Sequence, residues 1–155
     1  MDKVIKVISE EKFRLMMTCL ITRYGGHASN VESHSSSPGI PDIDYFLRPT
    51  TGNLELKFIT RTDGAINFGG MRIRPTQVAW FKRRAAAGGD PLLMIYIKNN
   101  EQGEDVIISM HGVHVYDFNS NPFGAKVMTH ITTIDKDYKW EAKIMELLAS
   151  PDRLR

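Results

Sequence analysis

Apolar residues recur at helical spacing through Phe13, Met16, Met17, Leu20 and Ile21, which predicts an amphipathic helix from a Ser9 cap to about Tyr24. Gly25 and Gly26 end it. From His27 to Ser37 the chain is polar and serine-rich, read as a short strand running into a loop. Pro38, Gly39 and Pro41 then punctuate the chain. A strand follows from Asp42 to Leu47, a turn from Arg48 to Gly52, and a second strand from Asn53 to Thr60, together a hairpin. A glycine-containing loop, read as a flap, covers Thr62 to Arg74. Pro75 suits the first turn of a second helix, which runs to Gly88 and Gly89. The unbroken apolar run Leu92 to Ile97 predicts a fully buried strand. After a turn at Asn99 to Glu104, Val106 to Met110 and Val113 to Phe118 read as a further hairpin. Trp140, Ile144, Leu147 and Leu148 mark a last helix from about Tyr138 to Ala149.

The order is therefore α-β-β-β-α-β-β-β-α, which predicts an α/β domain with a mixed α+β sheet flanked by helices. The 155 residues suit one domain, 1–155, with one sizeable core. No apolar run is long enough to span a bilayer, and the first residues lack the pattern of a signal peptide, so a cytoplasmic protein is expected. The single cysteine, Cys19, excludes an intrachain disulfide and a multi-cysteine zinc site. It sits among apolar residues and is expected in the core, as are Trp80 and Phe81. The net charge is only +2. Its distribution says more: Arg61, Arg72, Arg74, Lys82, Arg83 and Arg84 form one basic stretch, of the kind a phosphate backbone needs.

The candidate chemistry lies on the first hairpin. Alternate side chains of a strand share a face, so Glu55 and Lys57 project together while Leu54, Leu56 and Phe58 face the other way. Burying Glu and Lys in a run this apolar is unfavourable unless they pair or bind a metal. In a hairpin, Asp42 comes to lie beside Glu55. Two carboxylates in contact repel; a divalent cation removes that penalty. Such a cation lowers the pKa of a bound water and polarises a phosphate, and Lys57 would offset charge in the transition state.

Pro41-Asp42 with Glu55-Leu56-Lys57 resembles the PD-(D/E)xK nuclease superfamily. The stretch from Pro38-Gly39-Ile40-Pro41-Asp42 through Gln77-Val78-Ala79-Trp80 to Gly89-Asp90-Pro91 is similar to the branch holding archaeal-type Holliday-junction resolvases and virus-type replication-repair nucleases. The resemblance covers about residues 9 to 97. It implies a restriction-endonuclease-like core and Mg2+ (or Mn2+) held by Asp42 and Glu55, with Lys57 catalytic. It also implies a carboxylate from the first helix, for which Glu10 and Glu11 compete. At about 100° per residue, Glu10 falls in phase with Phe13 and Met17, and is favoured as a metal ligand. Gln77 matches the glutamine that opens the second helix in this branch, near the attacking water, Lys57 or a phosphate. His34, in the serine-rich loop, could touch phosphate or the leaving group, although most lone loop histidines do nothing catalytic; His111 and His114 carry no spacing that suggests a metal site.

The expected activity is Mg-dependent hydrolysis of DNA phosphodiester bonds by an endonuclease, structure-specific toward branched or double-stranded DNA, with a possible homodimer. The compact form would suit a phage enzyme in the host-cell cytoplasm. Alternatives are a non-catalytic nucleic-acid-binding protein on the same fold, a sequence-specific restriction-type endonuclease, and an unrelated accessory protein with chance motifs. Arg61, Arg72, Arg74 and Lys82 are the expected nucleic-acid contacts. Arg74 occupies a helix N-cap, where Ser, Thr, Asp or Asn would be favoured, and is read as reaching for the DNA backbone. Arg74→Ala should then weaken binding to all sequences and flatten the salt dependence by about one unit of slope. A binding titration across salt concentrations checks it; an unchanged slope would reject the contact.

Overall fold

The computed structural model describes residues 6–31, 39–61, 68, 71, 73–99, 103–124 and 130–155. His34 and Arg72, both considered above, lie outside the described residues, as does most of the expected flap. Helix α1 spans Glu10–Arg23. The Ser9 side chain accepts the Lys12 N–H at 3.2 Å, and Glu10 and Glu11 lie favourably against the helix dipole. Strands β1 (His27–Asn30), β2 (Ile43–Leu47) and β3 (Thr50–Arg61) form an antiparallel meander. Helix α2 (Pro75–Ala86) then crosses over to β4 (Leu92–Asn99), which pairs with β3 in parallel. Strand β5 (Val106–His111) is antiparallel to β4, and β6 (Ile131–Thr133) to β5. Helix α3 spans Val115–Ser120, and α4 spans Lys139–Ala149. The expected mixed sheet flanked by helices is present, its six strands in sequence order. Among the described residues no helix is long and apolar enough to cross a membrane.

Alternation along the strands divides the core. Ile43, Tyr45, Leu54, Leu56 and Met94 pack with buried residues of α1 and α4. Ile59, Leu93, Ile95, Ile108 and Met110 pack with Phe81 of α2 and Phe118 of α3. Glu55 and Lys57 share the second face with Ile59, so each sits on the α2 side of the sheet. The buried Tyr45 hydroxyl donates to the Leu148 carbonyl at 2.8 Å, fastening α4 to the hairpin.

Two expectations fail. The segment expected as a strand from Val113 to Phe118 is a 3-10 turn, Gly112–His114, followed by α3. His111 causes the break. Its ring Nδ1 accepts the Val113 N–H at 3.1 Å, so its Nε2–H donates to Asp90 at 2.8 Å. Burial holds the His111 pKa below its ordinary value, which suits this neutral tautomer. Val115 and Phe118, three apart, are then the buried pair of a helical turn. The real partner of β5 is β6, too short to show a period. Cys19, expected in the core, is exposed; it lies about 200° around the helix from Met17.

Gly39 docks the loop before β2 onto α2. It has φ +88°, and a Cβ there would lie 2.2 Å from the Thr76 carbonyl oxygen. Only glycine tolerates both conditions. Gly39→Ala should lower stability by more than about 1 kcal/mol, and Tm by at least a few degrees. Thermal unfolding checks this, and an unchanged Tm would contradict the close packing.

Candidate active site

The site forms where a strand is missing. β2 begins at Ile43, paired with Leu54, so the β3 edge from Glu55 onward lacks a β2 partner. The next position of that register sets Asp42 opposite Glu55. Asp42 Oδ2 accepts the Leu56 N–H at 3.2 Å, taking the place of a strand carbonyl. One carboxylate thus both ends the ladder and meets the carboxyl of Glu55.

Glu55 is 2% exposed, as is Gln77. Gln77 Nε2 donates to Glu55 Oε2 at 3.1 Å, while Gln77 Oε1 accepts the Arg74 N–H at 3.0 Å. The glutamine therefore ties the first turn of α2 to β3. This is half of a capping box; Arg74 cannot return the bond because a guanidinium has no acceptor. Lys57 Nζ stands 3.5 Å from Glu55 Oε2.

Burial pushes the Glu55 pKa up from 4.5 to about 8, and the charge of Asp42 adds to the rise; Lys57 opposes it, and Glu10 raises it further. At neutral pH Glu55 keeps a proton and shares it with Asp42 through a hydrogen bond. Glu10 also lies within range of this cluster. Crowding by protein atoms raises its pKa; Lys57 lowers it, Asp42 raises it and Arg14 lowers it. Glu10 is not on the buried face of α1 as expected. The residue is exposed, in the first turn, although its carboxyl is partly desolvated. Arg14, one turn further on and half-buried, was not anticipated. Its spacing of four from Glu10 is the available signal, since such pairs meet on a helix.

The structure thus brings Asp42, Glu55, Lys57 and Gln77 into contact, with Glu10 outside the contact set but within electrostatic range of it. The basic residues are scattered. Arg74 is exposed at the start of α2, beside Gln77. Arg61 ends β3, about 20 Å along the strand from Glu55. Lys82 lies on another side of α2, its Nζ 5.9 Å from the Tyr116 ring centre. It lines a groove of about 370 Å³ with Val78, Ala85, Gly112, Tyr116 and Arg155.

Among the described residues no three Asp, Glu, His or Cys side chains are grouped to encage an ion. The donor set fits the other kind of site. Magnesium takes one or two carboxylates and fills its remaining positions with waters and phosphate oxygens. Asp42 and Glu55 are two such carboxylates, held in contact with a proton where a cation would serve.

No protein-family model matches the chain, and no curated protein matches it. Among solved structures it is similar to Hjc, a Holliday junction resolvase from the archaeal hyperthermophile Archaeoglobus fulgidus. The likeness has 15% identity over 63% of this chain and 74% of that chain, with a TM-score of 0.42. At that distance the reading of the site rests on its own side chains.

The raised Glu55 pKa has two consequences. A folded-state pKa of about 8 against an ordinary 4.5 means the group favours folding at low pH; without metal, stability falls as pH rises from about 4.5 to about 8. A divalent ion must displace that proton, so magnesium affinity should rise about tenfold per pH unit from about pH 6 and level off above about pH 8. Calorimetric titration at several pH values reads this slope. Affinity independent of pH would show that the ion, if bound at all, does not displace the Glu55 proton.

Proposed function

We propose that the protein is a divalent-metal-dependent nuclease of the PD-(D/E)xK type, hydrolysing phosphodiester bonds of structured or branched DNA. The observation that carries this is the contact between half-buried Asp42 and buried Glu55 at the end of a β-ladder, with Lys57 Nζ 3.5 Å from Glu55. A fold that only needed packing would place apolar residues there.

Asp42 and Glu55 would hold Mg2+ or Mn2+, with Glu10 contributing from α1 directly or through a water. When bound, such an ion supplies an activated water and polarises the scissile phosphate. The residues of the chain do the rest. Gln77 donates to Glu55 Oε2 from α2, so the carboxyl keeps an anchor when the shared proton is lost. With Glu55 ionised and engaged as a ligand, the Lys57 ammonium would be available to the non-bridging oxygens that gain charge in the transition state. Arg14, one turn along α1 from Glu10, and Arg74, at the start of α2, would receive phosphates on either side of the scissile bond. A homodimer, with one such site per strand, suits a four-way junction.

Cleavage of a panel comprising a four-way junction, a flap, a linear duplex and a single strand, with magnesium, tests the proposal. Wild type should cleave at least one branched substrate in preference to the linear duplex. Asp42→Asn and Lys57→Ala should each lower cleavage by at least about a hundredfold. Full activity in Asp42→Asn would remove the acid pair from the chemistry.

A further inference from the structure

Among the described residues, the sheet face that carries Glu55 continues without a covering element across β1, β2 and the start of β3. The register sets its side chains in rungs. Beyond Asp42–Glu55 comes Ser29–Asp44–Asn53, then His27–Phe46–Thr51. Successive rungs are about 7 Å apart, so the strip runs roughly 14 Å from the acid pair. On the other face of β2, Ile43, Tyr45 and Leu47 are buried. On this face Asp44 is exposed, and Phe46 shows 46% of its surface although its strand is flanked on both sides. His27, Ser29 and Thr51 around it are also exposed.

We infer that this strip binds an unpaired strand of the nucleic-acid substrate, with Phe46 stacking on a base and the Asp44–Asn53 rung contacting base edges. The inference rests on the nuclease reading and deepens it. Continuity commits the occupant: the strip shares a face and a register with the acid pair, so a strand lying on it leads to the scissile bond. The chemistry commits it further. Asn53 Nδ2 donates to Asp44 Oδ1 at 2.6 Å. That bond orients the carboxamide, and leaves outward acceptors that suit base amino groups. The negative charge of Asp44 repels phosphates, so the bases lie inward and the backbone outward. A duplex hides its base faces; only an unpaired base can lay its ring on Phe46. A flat sheet with one aromatic and a polar rung is a surface on which about two or three bases can be seated.

A fork-shaped DNA with 2-aminopurine in its single-stranded arm tests this, beside the same duplex without an arm. Both are titrated with the full chain in calcium, while magnesium cleavage is followed separately. The expected result is tighter binding of the fork and a change in 2-aminopurine fluorescence as the base stacks. Phe46→Ala should lower the fork-to-duplex affinity ratio about tenfold and abolish the fluorescence change. Phe46→Tyr should retain both, and Asn53→Ala should lower the ratio. An unchanged ratio in Phe46→Ala, or equal loss of fork and duplex binding, overturns the strip while leaving the nuclease reading to stand on Asp42→Asn. A wild-type protein that neither binds nor cleaves any of these nucleic acids overturns both.

Discussion

Two carboxylates pressed together inside a protein are an unfavourable arrangement, and the organisation of this chain turns on keeping Asp42 and Glu55 in that state. Each is delivered by a different device. Glu55 is carried by a strand whose other side chains anchor it in two cores, so it cannot withdraw. Asp42 is held because its carboxylate replaces the strand partner that β3 lacks at Leu56. Gly39, packed on α2, brings the preceding loop to the right height. Breaking the acid contact would leave the Leu56 N–H without this partner, so the ladder itself resists relief of the repulsion.

The proton on Glu55 is the temporary solution. It relieves the repulsion between the two acids while no ion is present, and it sets the exchange by which an ion would enter. Lys57 reduces the repulsion without removing it. Its ammonium lies near one oxygen of Glu55, while Gln77 approaches the same oxygen from α2. The two donors leave Glu55 Oε2 well supported and point to Oε1 and Asp42 as the side from which a cation is met. Structural stability and the proposed ion binding would therefore compete at one group, as is common at functional sites.

Much of this was legible in the sequence because it depends on local period. Glu55 and Lys57 stand out as charges at alternate positions of an apolar run, and the hairpin turn brings Asp42 opposite. The helices around Met17, Phe81 and Ile144 show their spacing plainly. Other features depend on tertiary detail. The break after His111 comes from a side chain capping its own turn, which apolar pattern cannot reveal. β6 is three residues long and has no pattern to read. Glu10 was picked by helical phase as part of the buried face, yet it lies exposed in the first turn and is coupled to Asp42 and Lys57 only through their charges, which depends on tertiary placement. The basic residues were grouped by sequence proximity, but Arg61, Arg74 and Lys82 lie on different elements or faces.

Crystals grown near pH 8 and soaked in Mn2+ give the most direct measurement, through the anomalous scattering of the ion. A peak bonded to carboxylate oxygens of both Asp42 and Glu55, with the Lys57 ammonium close by, is the expected result. A map with no peak at this pair, and the two carboxyl groups still joined by a proton, would contradict it.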